Sequence, residues 1–282
     1  MEKQNEAVLP QGRQAPAVSP EDAVFIALEL GENILKCGGE ISRAEETVSR
    51  ICYAYGAKTV DVVAILMTII VTAEFEGQSI TSTRRITDYG SNNLGRLASF
   101  NDLSRKICEH TPTRAECERK INKILDESNV SLARYVIGSA LTSLGFAVFF
   151  GDFSAGVTWQ LVGGLFLDGA LSGIIALLLG LIARGLARTK TTSIVSKFII
   201  CFIGGILASI VGHFIPICHA DKIMIGNIMN VIPGVAMTNA FRDMLGGDIM
   251  SGVFRLCSTI IDAVAIAAGY AVAILLVGGI LV

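Results

Sequence analysis

One apolar stretch, Ile223–Phe241, holds a proline among polar side chains that hydrocarbon does not tolerate bare: Asn227, Asn230, Pro233, Gly234, Thr238 and Asn239. A proline in mid-helix removes one N–H and clashes with the preceding turn, so the stretch is expected to break at Pro233, with Gly234 adding freedom. The second half-helix would then aim free N–H groups and a positive dipole end at the break, which suits a carboxylate. A plain proline kink is the alternative reading of the same residues. Two acids, Asp168 and Asp262, lie well inside other apolar stretches. At such depth an acid either holds a proton, its carboxyl kept neutral by desolvation, or sits hydrogen-bonded and silent near a span end.

The elements that must position these groups are legible from charge. Of 48 Asp, Glu, Lys and Arg in 282 residues, 35 fall at or before Arg134 and only 13 after it. A hydrophobic fraction of 52% and a mean hydropathy of +0.59 are too high for a soluble chain of this length. The fold expected is an α-helical polytopic membrane protein with about five spans, one of them broken, behind a small N-terminal α+β cytoplasmic domain. The apolar runs are Tyr135–Phe150, Val157–Ala183, Ile194–Ile215, Ile223–Phe241 and Cys257–Leu281, each near the ~17–25 residues that cross a bilayer. Arg184, Arg188 and Lys190 mark the second connection, and Arg242 and Arg255 the fourth, Arg242–Leu256; the others are poor in Lys and Arg. Basic connections face the cytoplasm, so the N-terminus is expected inside the cell membrane and Val282 outside. Lys197 and His213, near span ends, read as snorkelling or interfacial groups. Two small-residue stripes are suited to helix packing: Gly169, Gly173, Ala176 and Gly180 beside Asp168, and Ser258, Ala265 and Gly269 around Asp262.

Residues 1–19 have no continuous apolar core for a cleavable signal and read as a disordered tail; residues 20–130 form the cytoplasmic domain and 131–282 the membrane domain. Ser19 is placed to cap a first helix that ends at Gly38-Gly39. Ser42 with Glu45 forms a capping box for a second helix, which Gly56 stops. Thr59–Glu74 reads as one buried strand, with Gly77 a turn and Ser79–Thr87 a second strand. Helices over Asn93–Glu109 and Thr113–Glu127 complete the domain. Seven cysteines without a CxxC pair read as free thiols, and His110, His213 and His219 have no ligand spacing, so neither metal nor cofactor is expected. The bilayer and a small carboxylate-bearing substrate are the partners implied, and nucleic acid is not among them.

Two segments carry a resemblance. Gly38-Gly39-Glu40-Ile41-Ser42-Arg43-Ala44-Glu45-Glu46 leads to Arg50 and Tyr55-Gly56. Ile232-Pro233-Gly234-Val235-Ala236-Met237-Thr238-Asn239-Ala240-Phe241-Arg242-Asp243 continues to Gly246-Gly247-Asp248 and Arg255. Over about residues 20–282 the chain resembles the threonine/serine exporter (ThrE) family, in its short YjjP-like branch. That resemblance implies a secondary exporter, with about five spans where full-length members carry about ten. It implies a partner, either a YjjB-like small membrane subunit or a second copy, and relatives of the split form are associated with dicarboxylates such as succinate. It also raises Arg242, Asp243, Asp248 and Arg255 as a gate or a dock for the soluble domain. At and in the second helix Glu40, Arg43 and Glu46 are candidates, although Arg43, Glu46 and Arg50 also fit a solvated surface with a Glu46–Arg50 pair. A membrane sensor or scaffold without transport is the alternative function. Glu45-Glu46-x-x-x-Arg50 matches a signature of intramembrane CAAX-type proteases, but its companion histidine elements are missing, so no enzyme is expected.

Overall fold

The computed structural model describes residues 18–65, 67–86, 93–127, 131–151, 159–189 and 191–281. Residues 1–17 of the expected tail, and with them Lys190, Thr87 and Val282, lie outside that description. Two compact units emerge, one taking Met1–Asn129 with Thr238–Phe254 and the other Val130–Met237 with Arg255–Val282.

In the first unit, α1 (Pro20–Lys36) starts at Ser19, whose hydroxyl accepts from the Asp22 N–H at 3.2 Å. It ends where Gly38 takes a φ of 84°, a conformation that a side chain would strain. Then comes α2 (Ile41–Ala54), packed so closely on α1 that a Cβ on Gly31 would lie 2.7 Å from Val48. The run Thr59–Glu74 is not one strand. It folds into β1 (Thr59–Ile65) and β2 (Thr68–Phe75), antiparallel with Ile65 opposite Thr68, and Gly77 turns β2 into β3 (Gln78–Arg85). The run conceals the turn because both strands are apolar and β-branched, so nothing polar punctuates it. Every second residue of β2 (Ile69, Val71, Ala73, Phe75) is buried against the helices. Helices α3 (Leu94–His110) and α4 (Arg114–Glu127) close the core, where Tyr55 donates to the Pro112 carbonyl at 2.5 Å.

Arg114 lies 3.5 Å over the Phe25 ring and pairs with Asp22 and Glu118. Half-buried Glu29 stands nearby. Burial pushes its carboxyl up, Glu118 and Glu32 push the same way, and Arg84 and Arg114 only partly oppose them. A raised carboxyl means that the folded chain binds this proton more tightly than the unfolded one. The resulting stability is complete below the ordinary value of 4.5 and is lost as pH rises through the raised one. Glu29→Gln is therefore expected to raise the melting temperature by a few degrees near about pH 7.5, and by less towards about pH 5. Thermal scans of the purified chain at both pH values check this; an equal gain at both would exclude the buried charge as its cause.

The second unit is helical: α5 (Leu132–Phe149), α6 (Trp159–Leu186), α7 (Ser193–Phe214), α8 (Ala220–Ile228), the start of α9 (Gly234–Leu245) and most of α10 (Ile249–Leu281). Among the described residues, four helices are long and apolar enough to cross a membrane: α5, α6 from Gly163, α7, and α10 to Gly279. The small-residue stripe of α6 packs as its composition implies, Gly169 against Leu144 and Val148, Gly173 against Ala140 and Gly180 against Val136 of α5. On α10, Gly269 abuts the Phe198 carbonyl of α7, where a Cβ would come within 2.6 Å.

Candidate functional site

The stretch around Pro233 is broken. Helix α8 ends at Ile228, residues 229–233 turn, and α9 begins at Gly234. Behind the turn, three helices converge on a buried polar cluster. Asn227 donates from Nδ2 to Ser172 Oγ at 3.2 Å and to the Ile223 carbonyl at 2.9 Å. Ser143 donates to the Gly226 carbonyl at 3.0 Å, with Asn227 Oδ1 at 3.4 Å. Asn230 donates from Nδ2 to Ser143 Oγ at 2.7 Å and to the Ser139 carbonyl at 3.1 Å. Ser143, Ser172 and Asn227 are almost wholly buried, so Asn227 faces α5 and α6, not an open polar edge. Asn230, Gly234 and Thr238 are exposed and Pro233 half-buried.

The two deep acids both have partners. Asp168 is fully buried, and accepts from the His219 backbone N–H at 2.9 Å while the His219 ring Nδ1 lies 3.0 Å from its other oxygen. Asp262 meets Lys197 Nζ at 2.5 Å, both side chains about one-fifth exposed or less. Lys197 therefore does not snorkel away: its ammonium is held by the acid of α10.

All the dock candidates except Arg255 fall within the first unit. Glu40 is the N-cap residue of α2, but its side chain makes no capping bond because it pairs with Arg242. The expected capping box does not form: Ser42 lies inside the first turn, and Glu45 accepts from the Ala64 N–H of β1 at 2.7 Å. Burial pushes the Glu45 carboxyl up, and the Asp248 charge adds to it. The role intended for Ser42 falls to buried Asp243, whose Oδ1 accepts from the Ile41 N–H at 3.3 Å. Asn239 donates from Nδ2 to the Gly38 carbonyl at 2.7 Å. Arg43 is exposed, and Glu46 pairs with Arg50 on the same helix at 3.7 Å. Arg255 does not belong to a loop: α10 already begins at Ile249, because nothing after Gly247 interrupts the helical run. Only Gly246–Asp248 separates α9 from α10, with Gly247 at a φ of 105°.

Ser139, Ser143, Ser172, Gly226 and His219 were not singled out by sequence reasoning. One signal was available: Asp168 and Ser172 stand one turn apart on the same face of α6. All seven cysteines are free, and no group of three or more His, Cys, Asp or Glu that could hold a metal occurs among the described residues.

Long apolar helices, buried hydrogen-bonded amides and a helix interrupted between them define a class, that of helical membrane proteins built around a polar break. The chain belongs to the ThrE family, described as "Putative threonine/serine exporter", whose profile matches residues 25–277. This is a family of transporters, not of enzymes. No curated protein and no solved structure matches the chain.

Proposed function

We propose that this chain is a subunit of a proton-coupled secondary exporter that moves small carboxylate-bearing metabolites, threonine and serine or dicarboxylates such as succinate, out of the cell. The observation that carries the reading is the interruption between α8 and α9, backed by the Ser143, Ser172, Asn227 and Asn230 cluster. Nine residues of α8 rise about 14 Å and twelve of α9 about 18 Å. Neither crosses ~30 Å of hydrocarbon alone, but in series they would make a fifth crossing, with the N-terminus inside and the C-terminus outside. The substrate carboxylate binds at the start of α9, where the helix dipole and first-turn N–H groups favour an anion, with Asn230 and Thr238 beside it. Asp168 and Asp262 carry the coupling proton. Glu40 with Arg242, and Ile41 with Asp243, tie the end of α9 to the start of α2 and serve as the gate or dock. An odd number of crossings also fits an inverted-repeat assembly, in which a YjjB-like subunit or a second copy supplies the other half of the site.

The test is efflux of threonine, serine and succinate from vesicles holding the chain with and without the small membrane subunit. Efflux should require both components. Asn230→Ala and Thr238→Ala should each reduce it about tenfold or more while the protein still inserts and purifies. Undiminished efflux in both variants would move the substrate site elsewhere.

A further inference from the structure

We propose that Asp168 and His219 form a proton-responsive latch that fastens the start of α8 to α6; the proposal rests on the exporter reading above. Asp168 has no exposed surface, and its partners among the described residues come from the turn that opens α8: the His219 N–H, the His219 ring and the Cys218 thiol. Its His219 partner is half exposed at the side chain, 53%, so the pair links a buried acid to an accessible imidazole edge. Other titratable groups on the packed elements are Asp221 and Lys222 on α8, and His213 on α7 beside Gly212, which packs on Ala220. From α5 the residues nearest this part of α6 are Leu144 and Val148, and neither ionises.

One turn along α6, Ser172 donates to the Ile223 carbonyl and accepts from Asn227. Helix α8 is thus fastened to α6 at two levels. The Ser172 level cannot titrate between about pH 5 and 8, whereas an imidazole can. With neutral His219, Nδ1–H donates to Asp168 and Nε2 presents a lone pair outward. A proton taken at Nε2 makes both nitrogens donors, and the bond to Asp168 becomes charge-assisted and stronger. If the Nδ1 proton then passes to Asp168, the ring is left neutral with its proton on Nε2, and Nδ1 becomes the acceptor. Each of these two proton shifts changes how α8 is held without disturbing the Ser172 level. In the topology proposed above the latch lies towards the outer side, so external pH sets how firmly the half-helix leading to the break is anchored.

Two measurements test it. The first is efflux against external pH in vesicles containing the full assembly, with internal pH set equal to it so that no gradient acts, wild type beside His219→Gln. The wild type should change several-fold between about pH 5.5 and 8, and the variant should be nearly flat. The second needs no transport: nuclear magnetic resonance of ring-labelled histidines in the purified chain, which has only three. His219 should be the Nδ1–H tautomer at high pH and turn to Nε2–H in Asp168→Asn. Unchanged pH dependence in His219→Gln, or a His219 signal indifferent to Asp168→Asn, overturns the latch while efflux itself still supports the exporter. The tautomer change without efflux at any pH sustains the latch and refutes the exporter reading.

Discussion

Truncating Asp262 to alanine is expected to cost the folded membrane unit about 3 kcal/mol, the low end for breaking a buried ion pair. Lys197 Nζ would lose the carboxylate 2.5 Å away while remaining between α7 and α10, where four-fifths of its side chain is covered. The low end applies because the remaining fifth lets the long stem swing its ammonium towards water. Asp262→Leu combined with Lys197→Met should recover most of the loss, since apolar residues of similar size replace both charges at once. Melting of the detergent-solubilised protein across the double-mutant cycle measures this. If the double variant is as unstable as the two singles added together, the charges are not coupled. The same stable double variant also isolates function: if Asp262 carries the coupling proton, its efflux at fixed external pH should no longer respond to a pH gradient.

Gly226→Ala should be nearly as damaging for a different reason. A Cβ there would lie 2.5 Å from the Ser143 carbonyl, 3.0 Å from the Ala147 methyl and closer still to Ser172 Oγ. The first two belong to α5 and the third to α6, and neither helix can move without opening the α5–α6 packing, so the cost is about 3 kcal/mol, the upper part of the overpacking range. Efflux should fall about a hundredfold, as the cluster that backs the break is forced apart. Gly234→Ala is the control: beyond its chain neighbours and its own helix backbone, no atom of the described residues lies within 4 Å of a Cβ at that position, and the variant should melt with the wild type. Equal melting temperatures for both variants would show that α8 tolerates displacement from α5 and α6.

Features that depend on local pattern were readable in advance. The apolar runs gave α5, α6 and α7 within a few residues but started α10 at Cys257 where it begins at Ile249, Pro233 gave the break, and the α6 glycine stripe gave the face that meets α5. What escaped depends on partners far apart in the chain. Asp168 and His219 are 51 residues apart, Lys197 and Asp262 65, and Ile41 and Asp243 202. Nothing near Ser42 reveals that a distant aspartate takes the capping role, and a seemingly adequate local cap drew the assignment away from it. The β1–β2 turn was hidden for the opposite reason, because Ile65-Leu66-Met67-Thr68 holds no Gly, Pro, Asn, Asp or Ser, the residues that mark turns.

The cap on α2 has a consequence for how the protein is made. Asp243 leaves the ribosome 202 residues after Ile41, a delay of roughly 10–40 s at ordinary rates of synthesis. Throughout that interval the earliest part of the nascent chain waits with an incomplete helix terminus, while most of the apolar sequence is delivered to the insertion machinery. The N-terminal unit, first to be translated, is therefore among the last to be finished, and its completion reports that the penultimate apolar segment has arrived.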